Sequence, residues 1–374
     1  MIKIKQVILH TITQNLKTPF TSSIGHVTNR ESILVEVIDE EGFTGWGEVV
    51  AFSTPWYTEE TIFTSLHLLK DILIPLIVKQ TINHPDDLQN IFKKIKRNNM
   101  AKASIEAAIW DLYAKKQKIS LSMALGGTKE VIDCGVVIGI SSTPNMIEQI
   151  SCYVEEGYKR FKIKISPKQD IKIIEDIKKH FPNLPLMADA NSAYTLKDVD
   201  RLKELDQFQL MMIEQPLGSD DIIDHAKLQE KLKTPICLDE SIVSSEDAKQ
   251  AIELGSCRVI NIKPGRVGGL TESKKIHDLC QKRSIPVWCG GMLETGISRA
   301  HNIALASLAN FTIPGDISSS TRYWEEDLVQ PEIKAENGMI NVPKQIGIGF
   351  KVNMEVIKKL RKSLIIIDPD DIEK

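Results

Sequence analysis

The stretch between Arg160 and Lys263 decides the fold. It holds five short apolar runs: RFKIKI at 160–165, LMAD at 186–189, MMIE at 211–214, ICLD at 236–239 and VINIK at 259–263. Each ends in, or contains near its end, a charged residue that a core strand disfavours. Lys164, Asp189, Glu214, Asp239 and Lys263 stand 25, 25, 25 and 24 residues apart. That near-constant interval is the length of one strand–helix unit, so one charged group falls at the C-terminal end of each of five successive strands. Further runs at 134–140, 287–290 and 311–314 extend the series to eight, with helix-like segments between them. Short strands that are apolar on both faces and alternate with helices indicate a parallel sheet covered on its outer face. Eight such units predict an α/β fold with a (β/α)8-type barrel, whose strand ends converge on one mouth. A doubly wound open sheet would show much the same alternation.

The first 55 or so residues have a different grammar. Residues 2–13 alternate polar and apolar, 18–25 resemble a loop, 32–38 form a strand, and Glu40-Glu41-Gly42 turns the chain into a further strand at 44–50. From Thr58 to about Lys118 the pattern is helical, most clearly in the Ala-rich segment 101–114. These features predict an α+β unit over residues 1–127, ending at Gly126-Gly127, before the barrel at 128–320. Residues 321–374 lack the strand–helix rhythm and are expected to pack back on the N-terminal unit, so that both chain ends build one capping domain.

Composition narrows the function. With 47 basic and 50 acidic residues, the chain has no excess of cations for a nucleic-acid or other polyanionic partner. No apolar run approaches the ~18 residues that cross a bilayer, and the N-terminus lacks the continuous apolar core of a signal peptide. Six scattered cysteines without a CxxC pair read as reduced, mostly buried thiols. A cytoplasmic location and no membrane partner are therefore expected.

The chemistry lies in the strand-end charges. Asp189, Glu214 and Asp239 come from three adjacent strands, with no arginine in those runs to neutralise them. Carboxylates gathered at one mouth repel one another, and a hard divalent cation relieves that repulsion. All-oxygen ligation suits Mg²⁺, with Mn²⁺ as the near substitute. In the run 160–165, alternation puts Phe161, Ile163 and Ile165 on one face and Lys162 and Lys164 on the other, which is expected to face the barrel interior. Two inward lysines lower each other's pKa, and a neutral lysine is a competent base near pH 7. Lys263 flanks the acids on the other side, although Lys263-Pro264-Gly265 also makes an ordinary turn. A lysine on each side of a three-carboxylate metal centre fits removal of a proton α to a carboxylate.

The Lys162-x-Lys164 pair, Asp189-Ala190-Asn191, Glu214-Gln215-Pro216, Asp239-Glu240-Ser241 and Lys263-Pro264-Gly265 resemble, in order and interval, the enolase superfamily and its muconate-lactonizing-enzyme subgroup. The resemblance covers essentially the whole chain. It implies a modified TIM barrel beneath a capping domain. Mandelate racemase-like members use a His–Asp dyad where this chain has Lys263, and His301 lies too deep in a helical stretch to replace it. Dipeptide epimerases carry Asp-x-Asp at the eighth strand, where this chain has Asp316-Ile317-Ser318. Residues 290–302, 314–327 and 19–25, the last ahead of Arg30, are similar to the o-succinylbenzoate synthase / N-succinylamino acid racemase family.

That resemblance implies a hydro-lyase of menaquinone biosynthesis acting on 2-succinyl-6-hydroxy-2,4-cyclohexadiene-1-carboxylate. Lys164 would take the proton and return it to the departing hydroxyl. Lys162 would keep Lys164 less basic, and Lys263 would stabilise the enediolate. The same two outer lysines would serve an N-succinylamino acid racemase, because both substrates carry a succinyl arm. A small carboxylate ligand and a homo-oligomer are expected. Asn191 and Glu240 are expected to orient metal ligands, with helix N-capping as the alternative. Phe20 and Ser22, with Ser23, Ile24 and Gly25, are expected to form a lid, the alternative being a plain hairpin loop. Gly291 and Met292 are assigned to substrate contact, either Gly290 or Gly291 otherwise serving a turn with φ > 0. Ser318, with Ser319 and Ser320, is assigned to donate to a carboxylate. A metal-dependent hydrolase would place histidines at the strand ends, and all eight histidines miss them. A non-catalytic binding barrel would have lost a ligand or base, and none is missing.

Overall fold

The computed structural model describes residues 1–21 and 26–370. Its N-terminal unit is an antiparallel meander of β1 (Ile2–Thr21), β2 (His26–Asp39) and β3 (Thr44–Val49). The turn into β3 follows from its residues: Asp39 Oδ1 accepts from the N–H groups of Glu41 (3.0 Å) and Phe43 (2.9 Å), and Gly42 takes φ 86°. The expected loop at 18–25 is corrected in part. β1 continues through Thr21, and after an irregularity beyond Asn15 its pairing resumes at Phe20–Val27 and Thr21–His26. Thr18, Phe20 and Thr21 are strand-favouring types, and pairing with β2 carries them into the hairpin. Ser22 and the rest of the expected lid, 23–25, lie outside the described residues.

The long helix α1 (Asn99–Lys116) lies directly on β3. Two glycines make that possible: a Cβ on Gly45 would sit 2.0 Å from Ala108 O, and one on Gly47 would sit 1.9 Å from Ser104 O. The carboxylate of Glu60 accepts from the N–H groups of Met100 (2.8 Å) and Ala101 (3.1 Å), satisfying the otherwise unpaired start of α1.

Seven parallel strands follow in sequence order: β4 (Gly135–Ile138), β5 (Arg160–Lys164), β6 (Leu186–Asp189), β7 (Ile213–Glu214), β8 (Ile236–Leu238), β9 (Val259–Ile262) and β10 (Val287–Cys289). The eighth run, expected at 311–314, is not a regular strand, since Pro314 has no N–H to offer a ladder. Its successor still closes the barrel. Gly135 N–H donates to Gly315 O (2.7 Å), and Asp316 N–H donates to Cys289 O (2.8 Å). Helices that follow these strands include α2 (Leu270–Lys282) after β9 and α3 (Gly296–Ala306) after β10.

Alternation sorts the side chains. Phe161, Ile163, Leu186, Ala188, Ile213, Ile236, Leu238, Ile260 and Ile262 join the main core under the helices. Met187, Met212, Cys237, Val259 and Trp288 form a separate apolar floor inside the barrel. Two residues further along the same strands come Asp189, Glu214, Asp239 and Asn261.

The cap is held to the barrel by two buried carboxylates. Glu106 of α1 accepts from the N–H groups of Leu270 (2.6 Å) and Thr271 (2.8 Å) at the start of α2. Glu48 of β3 accepts from Thr295 Oγ1 (2.7 Å) and Ser298 N–H (3.2 Å) at the start of α3. Each anion meets the unpaired N–H groups and positive dipole end of a barrel helix. Late in the chain, β11 (Arg361–Ile367) pairs antiparallel with β1, Val7 opposite Ile367. No helix among the described residues is long and apolar enough to cross a membrane. Gly47→Ala is expected to lower stability by about 2–3 kcal/mol, because its methyl meets helix backbone that cannot rotate away; urea denaturation checks this, and an unchanged midpoint would refute the close-packing account.

Candidate active site

The barrel mouth is a lattice of buried charges. Register sets Lys164 beside Asp189 and Asp189 beside Glu214 on neighbouring strands. Lys164 Nζ donates to Asp189 Oδ2 (2.7 Å) and Asn191 Oδ1 (2.6 Å). Lys162 Nζ lies 3.4 Å from Asp189 Oδ2, 3.2 Å from Glu214 Oε2 and 2.7 Å from Asp316 Oδ2. Lys263 Nζ donates to Asp239 Oδ2 (2.8 Å) and to the Tyr57 hydroxyl (2.9 Å). Asn261 Nδ2 donates to Glu214 Oε1 (2.7 Å). The three lysines and three acids singled out from the sequence thus share one site.

Burial and neighbours perturb these groups strongly. Burial alone would lower the Lys162 ammonium, but Asp316, Glu214 and Asp189 overcome it and hold its pKa above the ordinary value. Lys263 is likewise raised, burial being outweighed by Asp239 and Tyr57. The expectation that paired lysines depress each other is therefore corrected for Lys162: the acids around it outweigh the other cations. Burial raises Asp189, yet Lys164 and Lys162 bring it below the carboxylate range. Glu214 is pushed up by burial and by Asp189.

A second correction concerns neutralisation. No arginine lies in the three acidic runs, but Arg266 reaches back to Asp239: its Nη1 contacts Oδ1, while Nε donates to Ile242 O (2.7 Å). Among the described residues, no three His, Cys, Asp or Glu side chains are already closed around a metal-sized point. Lysine, arginine and asparagine donors hold the oxygens instead. The donor set still fits a hard divalent cation: three carboxylates stand at the ends of successive strands, with Glu214 raised by burial and by Asp189 and Asp239.

Beside this lattice opens a cavity, partly open to solvent, with about 90 Å³ of space that water can reach. Lys162, Lys164, Asp189, Asn191 and Lys263 line its polar side, and Phe52, Trp56, Met292, Leu293 and Tyr323 line its apolar side. Gly291 and Met292 face the cavity. Neither Gly290 nor Gly291 takes positive φ. Gly290 instead makes room for a side chain, since a Cβ there would lie 2.6 Å from Lys263 Cε. Ser318 does not line the cavity: its carbonyl accepts from Arg299 (2.5 Å) and its hydroxyl from Arg322 (3.1 Å). The backbone of Phe20 sits at the end of β1, opposite Val27. Asn191 caps no helix. It bridges Lys164 to Glu240, donating from Nδ2 to Oε1 (3.0 Å). His301 is buried in α3 against Ile297 O and Ala107 O, away from the site.

Residues 4–126 match the mandelate racemase / muconate lactonizing enzyme N-terminal domain, and residues 145–356 match the enolase C-terminal domain-like family. The chain belongs to the enolase superfamily. An o-succinylbenzoate synthase of Bacillus subtilis is 58% identical over 96% of this chain and 97% of its own length. An N-succinylamino acid racemase of Thermus thermophilus is 43% identical over 92% of this chain and 94% of its own. A crystal structure of an enolase superfamily member from Listeria innocua superposes with a TM-score of 0.96 at 45% identity, covering 99% of this chain and all of that one.

Several groups of this enolase-superfamily site escaped the sequence reading. Tyr57 comes from the cap, where its hydroxyl donates to Asp239 Oδ1 (3.1 Å); an aromatic-rich loop gave no periodic signal. Arg160 holds Asp316 Oδ1 (2.5 Å) and stacks over Trp288. It stands two residues before Lys162 on the same face, so alternation could have found it. Because folded Lys162 and Lys263 bind protons more tightly than unfolded lysines, they stabilise the metal-free protein fully below about pH 10.4. That contribution is lost as pH rises through their higher folded values. Denaturation against pH should show stability falling above about pH 10, and Lys263→Met should flatten part of that limb. Equal alkaline slopes for both proteins would refute the assignment.

Proposed function

We propose that this chain is an o-succinylbenzoate synthase, a hydro-lyase that removes water from 2-succinyl-6-hydroxy-2,4-cyclohexadiene-1-carboxylate in menaquinone biosynthesis. The observation that carries the reading is the placement of Lys164 and Lys263 on opposite sides of one acid cluster, both facing the same cavity. Identity favours dehydration over racemisation, at 58% to a synthase against 43% to a racemase.

Asp189, Glu214 and Asp239 would hold a divalent cation, Mg²⁺ or in substitution Mn²⁺, which supplies Lewis-acid stabilisation of the charge that builds on the substrate carboxylate. Lys164 Nζ, steered by Asn191 and Asp189, takes the proton from the carbon α to that carboxylate. The same ammonium then protonates the departing hydroxyl, so one lysine serves both halves of the elimination. Lys162 supports Lys164 as a fixed positive charge from the same strand. Lys263, on the opposite side, balances the enediolate with its charge. Asn191 and Glu240 orient the polar wall. Phe52, Trp56 and Met292 exclude water, and Gly291 lets the chain pass close to the succinyl arm. Loss of water leaves an aromatic ring, which drives the reaction.

N-succinylamino acid racemisation is a second reading, favoured by the presence of both lysines: each would exchange a proton on one face of the enediolate. We also take the enzyme to be cytoplasmic and homo-oligomeric.

Purified protein with Mg²⁺ is expected to form o-succinylbenzoate, followed by ultraviolet absorbance, faster than it racemises N-succinyl amino acids, followed by polarimetry. Chelation should abolish both, and absence of both with metal bound would refute the reading. Lys164→Ala is expected to lower dehydration by about 10³-fold or more with metal affinity nearly intact; retained dehydration would remove Lys164 from the mechanism.

A further inference from the structure

The cavity beside the charged lattice is too small for a substrate that carries both a ring and a succinyl arm. It offers about 90 Å³ of space that water can reach, whereas sites for ligands of that kind run to about 300–1,000 Å³. A second cavity, with about 560 Å³ of such space, adjoins it and shares Val137 and Tyr323 as walls. It opens at the same barrel mouth: Ser141 of its wall follows β4, and Tyr153 stands on the next helix, Thr143–Glu155.

Two guanidinium groups lie over the Tyr323 ring where the cavities meet. Arg299 Cζ is 5.0 Å from the ring centroid and lines the first cavity; Arg322 Cζ is 5.5 Å away and lines the second. Elsewhere at the mouth, Arg160 and Arg266 are each paired with a carboxylate. Among the described residues, Arg299 and Arg322 meet only neutral oxygens. Arg299 donates to the carbonyls of Ser318 (2.5 Å) and Glu294 (3.3 Å), and its buried Nε has no partner. Arg322 donates to Ser318 Oγ (3.1 Å), the Tyr153 hydroxyl (2.9 Å) and Val137 O (3.4 Å). The rings of Tyr153 and Tyr158 enclose it further, with centroids 4.5 and 5.9 Å from Cζ.

Ring faces and neutral oxygens offset part of the cost of enclosing a cation, and a carboxylate offsets far more. A guanidinium has five N–H groups, so Arg322 keeps donors free for a ligand. Ser141, on the same wall, has a buried hydroxyl with no hydrogen-bond partner. The one acid lining this cavity, Glu156, is exposed and makes no ion pair with Arg322.

We propose that Arg322 is a specificity-determining residue that receives the terminal carboxylate of the succinyl arm in the second cavity, while the ring carboxylate sits at the charged lattice. The two negative ends of the substrate then meet two separate cationic sites, and the arm passes between them along Tyr323. This rests on the proposed synthase reading and names the group that reads the arm.

The test is calorimetric binding of o-succinylbenzoate to the magnesium-loaded full chain, beside an analogue esterified at the carboxylate of the arm. Wild type is expected to bind the diacid about 30-fold or more tighter than the ester, as for an enclosed charge pair. Arg322→Met should lose that preference by weakening the diacid alone, raising KM for dehydration much more than it lowers kcat, and Arg322→Lys should restore part of it. Equal affinity of wild type for diacid and ester would overturn the inference even if the methionine variant did not fold. Equal weakening of both ligands by Arg322→Met would make Arg322 a structural brace and overturn it, as would an unchanged preference. A wild type that forms o-succinylbenzoate while giving any of these results leaves the synthase reading standing; one that neither forms nor binds it with metal loaded overturns that reading and this inference with it.

Discussion

Charges buried at the barrel mouth must be paired, and this constraint orders the rest of the structure. Asp189, Glu214, Asp239 and Asp316 meet Lys162, Lys164, Lys263, Arg160 and Arg266 within a few ångströms of one another. An unpaired charge there would face a desolvation cost of several kcal/mol. The pairs form only if neighbouring strands keep register, with Lys164 beside Asp189 and Asp189 beside Glu214. A slip by one residue would turn every charge into the apolar layer under the helices and every isoleucine into the mouth. The floor of Met187, Met212, Cys237 and Trp288 seals the lattice from below. The site and the barrel core are thus two faces of one alternating pattern.

The cap depends on the same principle in another form. Its buried acids Glu48 and Glu106 would be costly alone, but each finds the open N–H groups at the start of a barrel helix. Cap and barrel therefore dock through charge satisfaction as well as apolar area. The docking has a chemical result. Arg30 donates to the carbonyls of Val50 (2.9 Å) and Ala51 (2.9 Å), fixing the loop that carries Phe52, Trp56 and Tyr57 over the mouth. The cap contributes Phe52, Trp56 and Tyr57 to the cavity wall, and the barrel contributes Met292, Leu293 and the charged side chains.

The barrel was legible because its signal repeats. Five charges at near-constant spacing locate strand ends, and alternation in RFKIKI locates the interior face, with no further information needed. The eighth strand was misplaced because Pro314 breaks a ladder that Gly315 and Asp316 complete by only a few hydrogen bonds. Arg266 and Tyr57 were missed for a different reason. Their roles arise from reach across the fold: Arg266 turns back from the first turn after Lys263, and Tyr57 arrives from a separate unit. Ser318 illustrates a different point: alternation places its hydroxyl near the mouth, and the structure adds that this hydroxyl accepts from Arg322. Periodic patterns report which face a residue occupies; they do not report which partner on that face it finds.

The two outer lysines are held in unequal surroundings, and this bears on which reaction the barrel performs. Lys164 contacts one carboxylate and one amide, and lies beside the open cavity. Lys263 is enclosed by Asp239, the Tyr57 hydroxyl and the Tyr57 ring, which its ammonium approaches to 4.5 Å from the centroid. A group enclosed in that way is well placed to act as a fixed positive charge. Elimination asks for one mobile proton and one fixed charge, whereas racemisation asks for two mobile protons on opposite faces. The asymmetry of the lysines therefore matches dehydration more closely than racemisation.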